Sequence, residues 1–307
     1  MSLLGHGIAL PSQTISNDHF VDALKLDTTA HWIRSRTGIA ERRHATSDQK
    51  TSDLAVAAAQ QALECARMTA EELDLIIVAT STPDYTMPAT ACLVQGRIGA
   101  KNATSLDVVN ACAGFVYALD VATRYLNTGM HRALVIGADL GSRLVSFEDR
   151  GTCIFFGDGA GAAVLGAGGS GRVLATYMRA EGNATPLNVP IGSTMHMDGR
   201  AVWDFATRVL PETVRELCRR ADVPVSAIKL LVPHQANTNI LATAAKDLGL
   251  PLSRVVINID RYGNTLAASI PIALDEAMRQ GLAGQGDLVA LVGFGAGLAW
   301  GGVLWQL

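Results

Sequence analysis

Asp107-Val-Val-Asn-Ala-Cys-Ala-Gly-Phe-Val-Tyr-Ala-Leu119 is the stretch from which the fold can be read. The strand-like run Ser105–Val109 ends in small residues, and an amphipathic pattern then runs through Arg124 to Leu126 before Gly129 stops it. Cys112 therefore stands at the mouth of a helix. Unpaired N–H groups and the positive end of the macrodipole favour thiolate over thiol there, which makes Cys112 a candidate nucleophile. Cysteine is also among the most often buried residues, so the local sequence leaves an inert core thiol equally open.

Working outward, the same strand–helix alternation surrounds this stretch. Leu75–Ala79 reads as a strand, about Pro88 to Ile98 as a helix, Ala133–Gly137 as a strand, and Gly157–Leu165 as glycine-punctuated strands. Upstream, Leu3–Leu10 is strand-like, a helix-like piece starts at Asn17, an alanine-rich helix pattern spans Thr51 to Ala66, and Thr69-Ala-Glu-Glu is a capped short helix.

The second half repeats the first. Ile228–Val232 matches Leu75–Ala79, and Val255–Ile259 matches the strand before Cys112. The helix Leu266–Met278 matches the Cys112 helix, Leu288–Val292 matches Ala133–Gly137, and Leu298–Leu304 matches Ala160–Leu165. Corresponding elements lie roughly 150 residues apart, so we expect a duplicated α/β unit with pseudo-twofold symmetry, divided into residues 1–166 and 167–307.

Composition narrows the function classes. Of 307 residues, 49% are hydrophobic and 17% charged, which requires an extensive core. A net charge of −3 and 5% aromatics give neither general attraction for polyanions nor stacking platforms, so nucleic acid is not an expected partner. Five cysteines with no CxxC pair and no metal-ligand spacing to the seven histidines fit reduced cytosolic thiols and no metal site. The N-terminus lacks a signal-peptide pattern, and a cytoplasmic location is expected. Leu288–Leu307 is uncharged and long enough for a membrane helix. Its five glycines divide it into two short apolar runs that read better as buried strands joined by a turn, so no membrane insertion is expected.

In a layered α/β protein the loops after equivalent strands converge on one edge, where ligands bind. Cys112, Pro233-His234-Gln235-Ala236-Asn237 and Tyr262-Gly263-Asn264-Thr265 all follow such strands. Alone, His234 reads as a structural histidine and Asn264 as a helix cap. At equivalent strand ends of a repeat, the catalytic reading of Cys112, His234 and Asn264 is the stronger one.

Ala111–Phe115, Pro233–Asn237 and Gly263-Asn-Thr-Leu-Ala-Ala-Ser-Ile-Pro271, with Asp149–Thr152, Phe156–Ala162 and Phe294-Gly-Ala-Gly297, resemble motifs of the thiolase superfamily. Within it, the match is to the β-ketoacyl-acyl carrier protein synthase III branch. The resemblance spans nearly the whole chain. It implies a five-layered αβαβα fold and a homodimer. It also implies decarboxylative Claisen condensation of a short acyl-CoA with malonyl-acyl carrier protein at the start of fatty-acid synthesis. Cys112 would carry the acyl group, the backbone N–H groups of Cys112 and Ala296 would hold the oxyanion, and His234 and Asn264 would donate to the enolate, with no metal or redox cofactor. Thr28, Trp32, Arg36, Arg150, Gly151 and Asn237 match CoA-binding positions; Met87, Gly141 and Phe155 match the acyl pocket.

Some positions depart from the family pattern. Asn239 stands where many members use an arginine to dock the carrier protein, and Lys246, at a further docking position, is followed by Asp247, so docking is weakened or redistributed to Arg215, Arg219, Arg220 or Arg254, all equally readable as solvated charge. The segment between Ala180 and His196 is shorter than usual. Phe155 would narrow the acyl pocket and Gly141 would enlarge it, whereas Met87, at a position where the partner subunit usually closes the pocket, is flexible enough to admit more than acetyl. Other reactions open to the same residues are priming of a polyketide, quinolone or dicarboxylic-acid pathway, and acyl transfer or thioester hydrolysis without decarboxylation.

Overall fold

The structure is a computed structural model that describes residues 1–307. Its strands are β1 (Ser2–Ala9), β2 (Gln13–Ser16), β3 (Glu41–His44), β4 (Leu75–Ala79), β5 (Thr104–Val108), β6 (Arg132–Leu140), β7 (Asp158–Gly166), β8 (Arg172–Asn183), β9 (Leu187–Asn188), β10 (His196–Met197), β11 (Leu230–Pro233), β12 (Leu288–Gly295) and β13 (Gly297–Gln306). The helices are α1 (Ala30–Thr37), α2 (Thr51–Ala66), α3 (Thr90–Ile98), α4 (Gly114–Leu126), α5 (Gly199–Ala221), α6 (Thr238–Leu248), α7 (Ile259–Tyr262) and α8 (Ser269–Arg279). The expected capping at Thr69 is present: Glu72 accepts the Thr69 N–H at 2.8 Å.

Two sheets carry the fold, ordered β1-β7-β6-β4-β5 and β11-β12-β13-β8. Leu75, Ile77 and Val135 of the first sheet and Leu230, Val289 and Leu291 of the second share one apolar core with Phe115 and Leu119 of α4 and Ile270 and Leu274 of α8. A second core lies between the outer face of the first sheet and α2, and a third joins the second sheet to α5 and α6. The result is five layers, αβαβα, with α4 and α8 sandwiched. Strands buried on both faces explain why β4 and β12 read as apolar runs with no alternation.

The repeat can be aligned atom by atom. Asp74 donates its N–H to Arg132 O and Lys229 its N–H to Leu288 O, each at 2.9 Å, so Arg132 and Leu288 are equivalent. That register sets Gly137 against Gly293 and Asp139 against Gly295. Ahead of the central helices, Asn110 and Thr265 precede matching short turns, Ala111–Ala113 and Leu266–Ala268, so Cys112 corresponds to Ala267.

One expected strand is missing. Val255–Ile259 makes a single bridge, Leu231 with Val255, so the second sheet has four strands and not five. Pro233 has no N–H to give to a ladder, and the buried Gln235 side chain takes both remaining groups: its amide donates to Val256 O (3.0 Å) and its carbonyl accepts from Asn258 N–H (3.0 Å). A side chain has replaced the ladder. The sequence reading also left residues 167–227 without elements, although they form β8, the counterpart of β1, and the 23-residue α5. Leu288–Leu307 forms the antiparallel pair β12–β13, and no helix is long and apolar enough to cross a membrane.

Candidate active site

Cys112 lies in the turn Ala111–Ala113, just ahead of α4. Ala111 adopts φ +44°, which bends the chain sharply enough to aim the Cys112 backbone at β12. Its thiol is buried, and burial pushes its pKa up to about 12, with the nearby Asp139 carboxylate adding to the rise. Desolvation of the charge outweighs the helix field that favours thiolate, so the Cys112 sulfur is a thiol near neutral pH.

His234 follows β11 and is buried, with its ring edge-on to Phe294 at 5.2 Å. Its Nδ1 lies 2.6 Å from Ser269 Oγ, and that oxygen also accepts the Gln235 N–H at 3.4 Å. A hydroxyl already accepting from Gln235 is arranged to donate to Nδ1, which leaves the proton on Nε2, facing the cavity. Burial depresses the imidazole to about 3, so it is a neutral donor near pH 7 and not an imidazolium. Ser269→Ala frees the tautomer. It is expected to slow any step that uses the His234 Nε2–H about tenfold, the worth of one hydrogen bond to a reacting group, with the reactivity of Cys112 toward a thiol reagent unchanged; stopped-flow measurement checks this.

Asn264 is both cap and candidate catalyst. Its Oδ1 accepts the Leu266 N–H at 2.9 Å, which pins the carboxamide and leaves Nδ2 free to donate. Its backbone is tied on both sides, N–H to Phe155 O (2.8 Å) and O from Gly157 N–H (3.0 Å).

Cys112, His234, Asn264 and Ala296 line one cavity of about 630 Å³, together with Phe155 and Asn237. Ala296 is the single residue between β12 and β13, and a Cβ on Gly295 would lie 3.0 Å from Cys112 N, so the β12–β13 turn grazes the Cys112 N–H. Thr28, Trp32, Arg36, Arg150 and Gly151 lie outside this lining. Arg150 stacks its guanidinium over Trp32 at 5.1 Å and donates to Asp27 O. The Arg36 carbonyl accepts from the Asn237 and Asn239 amides at 2.9 and 3.0 Å, which fastens α1 to the start of α6. A side chain at Gly38 (φ +85°) would collide with Thr238 at this junction. Met87 is 80% exposed and lies off this cavity wall, as a residue reaching a partner subunit's pocket would. Gly141 does not open it: a Cβ there would meet Gly157 O at 2.9 Å and Leu266 at 3.0 Å.

Sequence reasoning missed the outer wall, formed by Leu187, Met195, Met197, Trp203 and Phe205. It also missed Ser269 and Asp139. Ser269 was within a quoted motif, five residues after Asn264, and a hydroxyl on the buried face of a helix pattern was the available signal.

A buried thiol, a neutral imidazole and a pinned carboxamide around an apolar chamber at the junction of two sheets define a carbon–carbon-forming acyltransferase of the thiolase fold. Models of the 3-oxoacyl-[acyl-carrier-protein] synthase III family match residues 106–182 and, for its C-terminal part, 218–307. The chain is 45% identical to the beta-ketoacyl-[acyl-carrier-protein] synthase III of Clostridioides difficile (strain 630), covering 99% of this chain and 98% of that one. It is also 45% identical to that of Caldanaerobacter subterraneus subsp. tengcongensis, covering 97% and 95%. The crystal structure of 3-oxoacyl-[acyl-carrier-protein] synthase III from Aquifex aeolicus VF5 is similar with TM-score 0.96 and 42% identity over 99% of both chains. The chain belongs to the β-ketoacyl-acyl carrier protein synthase III family of condensing enzymes.

Proposed function

We propose that this enzyme loads a short acyl group from acyl-CoA onto Cys112 and condenses it with malonyl-acyl carrier protein to start fatty-acid synthesis. The observation that carries the reading is the meeting of Cys112, His234, Asn264 and the Gly295–Ala296 turn on one apolar cavity. In the first half-reaction the sulfur of Cys112 forms a bond to the thioester carbon, and the carbon–sulfur bond to CoA breaks. The proton of Cys112 leaves with the CoA thiol. The tetrahedral oxyanion falls to the N–H groups of Cys112 and Ala296. In the second, the carbon–carbon bond to the malonyl carboxylate breaks, CO₂ departs, and the electron pair moves onto the thioester oxygen. His234 Nε2–H and Asn264 Nδ2–H donate to that oxygen. The enolate carbon then attacks the acyl carbonyl, and the Cys112 sulfur leaves as thiolate and takes a proton from water. A neutral His234 suits this role, because a donor that keeps its proton stabilises the enolate without quenching it. The reading calls on no metal or redox cofactor.

Trp32, Arg36 and Arg150 are assigned to the nucleotide end of CoA. The stacked Arg150–Trp32 pair supports this, since a purine can slide between an indole and a guanidinium plane, and so does the buried, unpartnered Thr28 hydroxyl. Phe155 bounds the acyl end. The homodimer assignment draws support from β5, an edge strand with no neighbour on its far side, and from the exposed Met87 and Val109 beside it. Asn239 brings no charge to the carrier protein. Its amide is engaged by the Arg36 carbonyl, and Arg215, Arg219 and Arg220 are paired with Asp247 and Glu216, so docking is weakened at this position.

The test is to incubate the enzyme with a panel of acyl-CoAs, locate any mass increment by peptide mapping, then add malonyl-acyl carrier protein or malonyl-CoA and measure CO₂. Acylation confined to Cys112 followed by CO₂ release is expected. An adduct elsewhere, or none with any acyl-CoA, sinks the nucleophile assignment. An adduct that hydrolyses or transfers without CO₂ makes the enzyme a hydrolase or simple acyltransferase.

A further inference from the structure

Asp139, at the end of β6, is fully buried and has no basic partner. Its carboxylate is held by four neutral donors. Oδ1 accepts from Thr80 Oγ1 (3.2 Å), Ser81 N–H (2.7 Å) and Thr82 Oγ1 (3.1 Å), and Oδ2 accepts from Ala267 N–H (3.0 Å). The residue before Ala267 is Leu266, held at φ +50°, whose own N–H points at Asn264 Oδ1. Two consecutive backbone donors of one strained turn are thus divided between a fixed carboxylate and the amide of Asn264.

The internal repeat gives this arrangement its meaning. Ala267 is the counterpart of Cys112, and Asp139 is the counterpart of Gly295 by sheet register. In one half the N–H at the turn faces a glycine and an open cavity; in the other, the equivalent N–H is filled by the chain's own carboxylate. We propose that Asp139 is a positioning residue for condensation: by anchoring the Ala267 N–H it fixes the Leu266 turn, which in turn aims the Asn264 carboxamide at the enolate. This rests on the condensing role assigned to Asn264 above, and it separates the two half-reactions. Asn264 serves only the second. Burial chiefly holds the Cys112 thiol up, and the charge of Asp139 adds to that and opposes the first.

Asp139→Asn keeps the shape, but its NH₂ must face either Ser81 N–H or Ala267 N–H, donor against donor. Expected are acylation of Cys112 at the wild-type rate or faster, and condensation slowed about 10- to 100-fold in kcat with little change in KM for the malonyl thioester. That loss is smaller than the ~10²–10³-fold for deleting an oxyanion donor outright. In an Asn264→Ala background the same substitution is expected to slow condensation no further. Equal losses in both half-reactions, or an undiminished loss in the Asn264→Ala background, would overturn the proposal. Should Asp139→Asn not fold, the isosteric Thr80→Val removes one of the four donors and is expected to give the same selective loss at about threefold; unaltered or equally altered half-reactions overturn it there too. Failure of wild-type enzyme to acylate or to release CO₂ would instead strike the assigned reaction itself.

Discussion

Gly295→Ala is expected to slow acylation of Cys112 by about 10²–10³-fold, the loss seen when one oxyanion donor is removed. The new methyl would lie 2.9 Å from Cys112 Cβ and 3.0 Å from Cys112 N. Neither side can retreat cheaply. Gly295 ends β12, whose core residues are fully buried, and Cys112 sits in a turn already bent by Ala111 at φ +44°. The methyl therefore either displaces the nucleophile or stands where the oxyanion would form. Quenched-flow acylation followed by intact mass measures the effect, with a thermal melt to verify the fold. A folded variant acylating within about threefold of wild type would show that the Cys112 N–H does not hold the oxyanion.

The largest effect on stability is expected at Arg42. Its guanidinium is fully buried without a carboxylate partner, and burial lowers its pKa to about 10, which leaves it charged at neutral pH. It donates to Ile15 O (3.2 Å), Asn17 Oδ1 (2.9 Å) and Ile154 O (2.5 Å), and it stacks on Phe20 at 4.5 Å. Arg42→Met fills the space but strands three buried acceptors, each costing about 1–3 kcal/mol. With relaxation, a net destabilisation of about 3–5 kcal/mol is expected from urea unfolding. The damage should also reach catalysis: Ile154 precedes Phe155, whose carbonyl holds the Asn264 N–H. A loss below about 1 kcal/mol would mean that Arg42 is dispensable, as buried ions replaced by apolar groups sometimes are.

What the sequence made legible follows from what its patterns encode. Cys112 and His234 could be brought together because each follows a strand of a repeated unit, and Asn264 because it stands just ahead of the helix that repeats the Cys112 helix; repetition converts sequence position into place on a shared edge. The strands β4, β6 and β12 were legible because burial on both faces leaves an unbroken apolar signature. Val255–Ile259 carried that signature without becoming a strand, since its ladder groups are claimed by Gln235, a tertiary event no local pattern records. The balance at the Cys112 thiol was only half legible for a similar reason: the helix field is local and visible, whereas burial and Asp139, which raise its pKa, come from distant parts of the chain. The roles of Asp139 and Ser269 rest on hydrogen bonds to residues far away in sequence, and a lone carboxylate or hydroxyl in an apolar run does not announce its partner.

The bend at Ala111 has a twin at Leu266, φ +44° and +50°, yet only one of the two turns carries a cysteine. A contortion preserved where no bond is made or broken belongs to the architecture and not to the reaction. Each half of the molecule comes with a ready-made anion receptor at the head of its central helix. In one it was left vacant and became the workplace; in the other it was sealed from within and became a hinge pin for its neighbour.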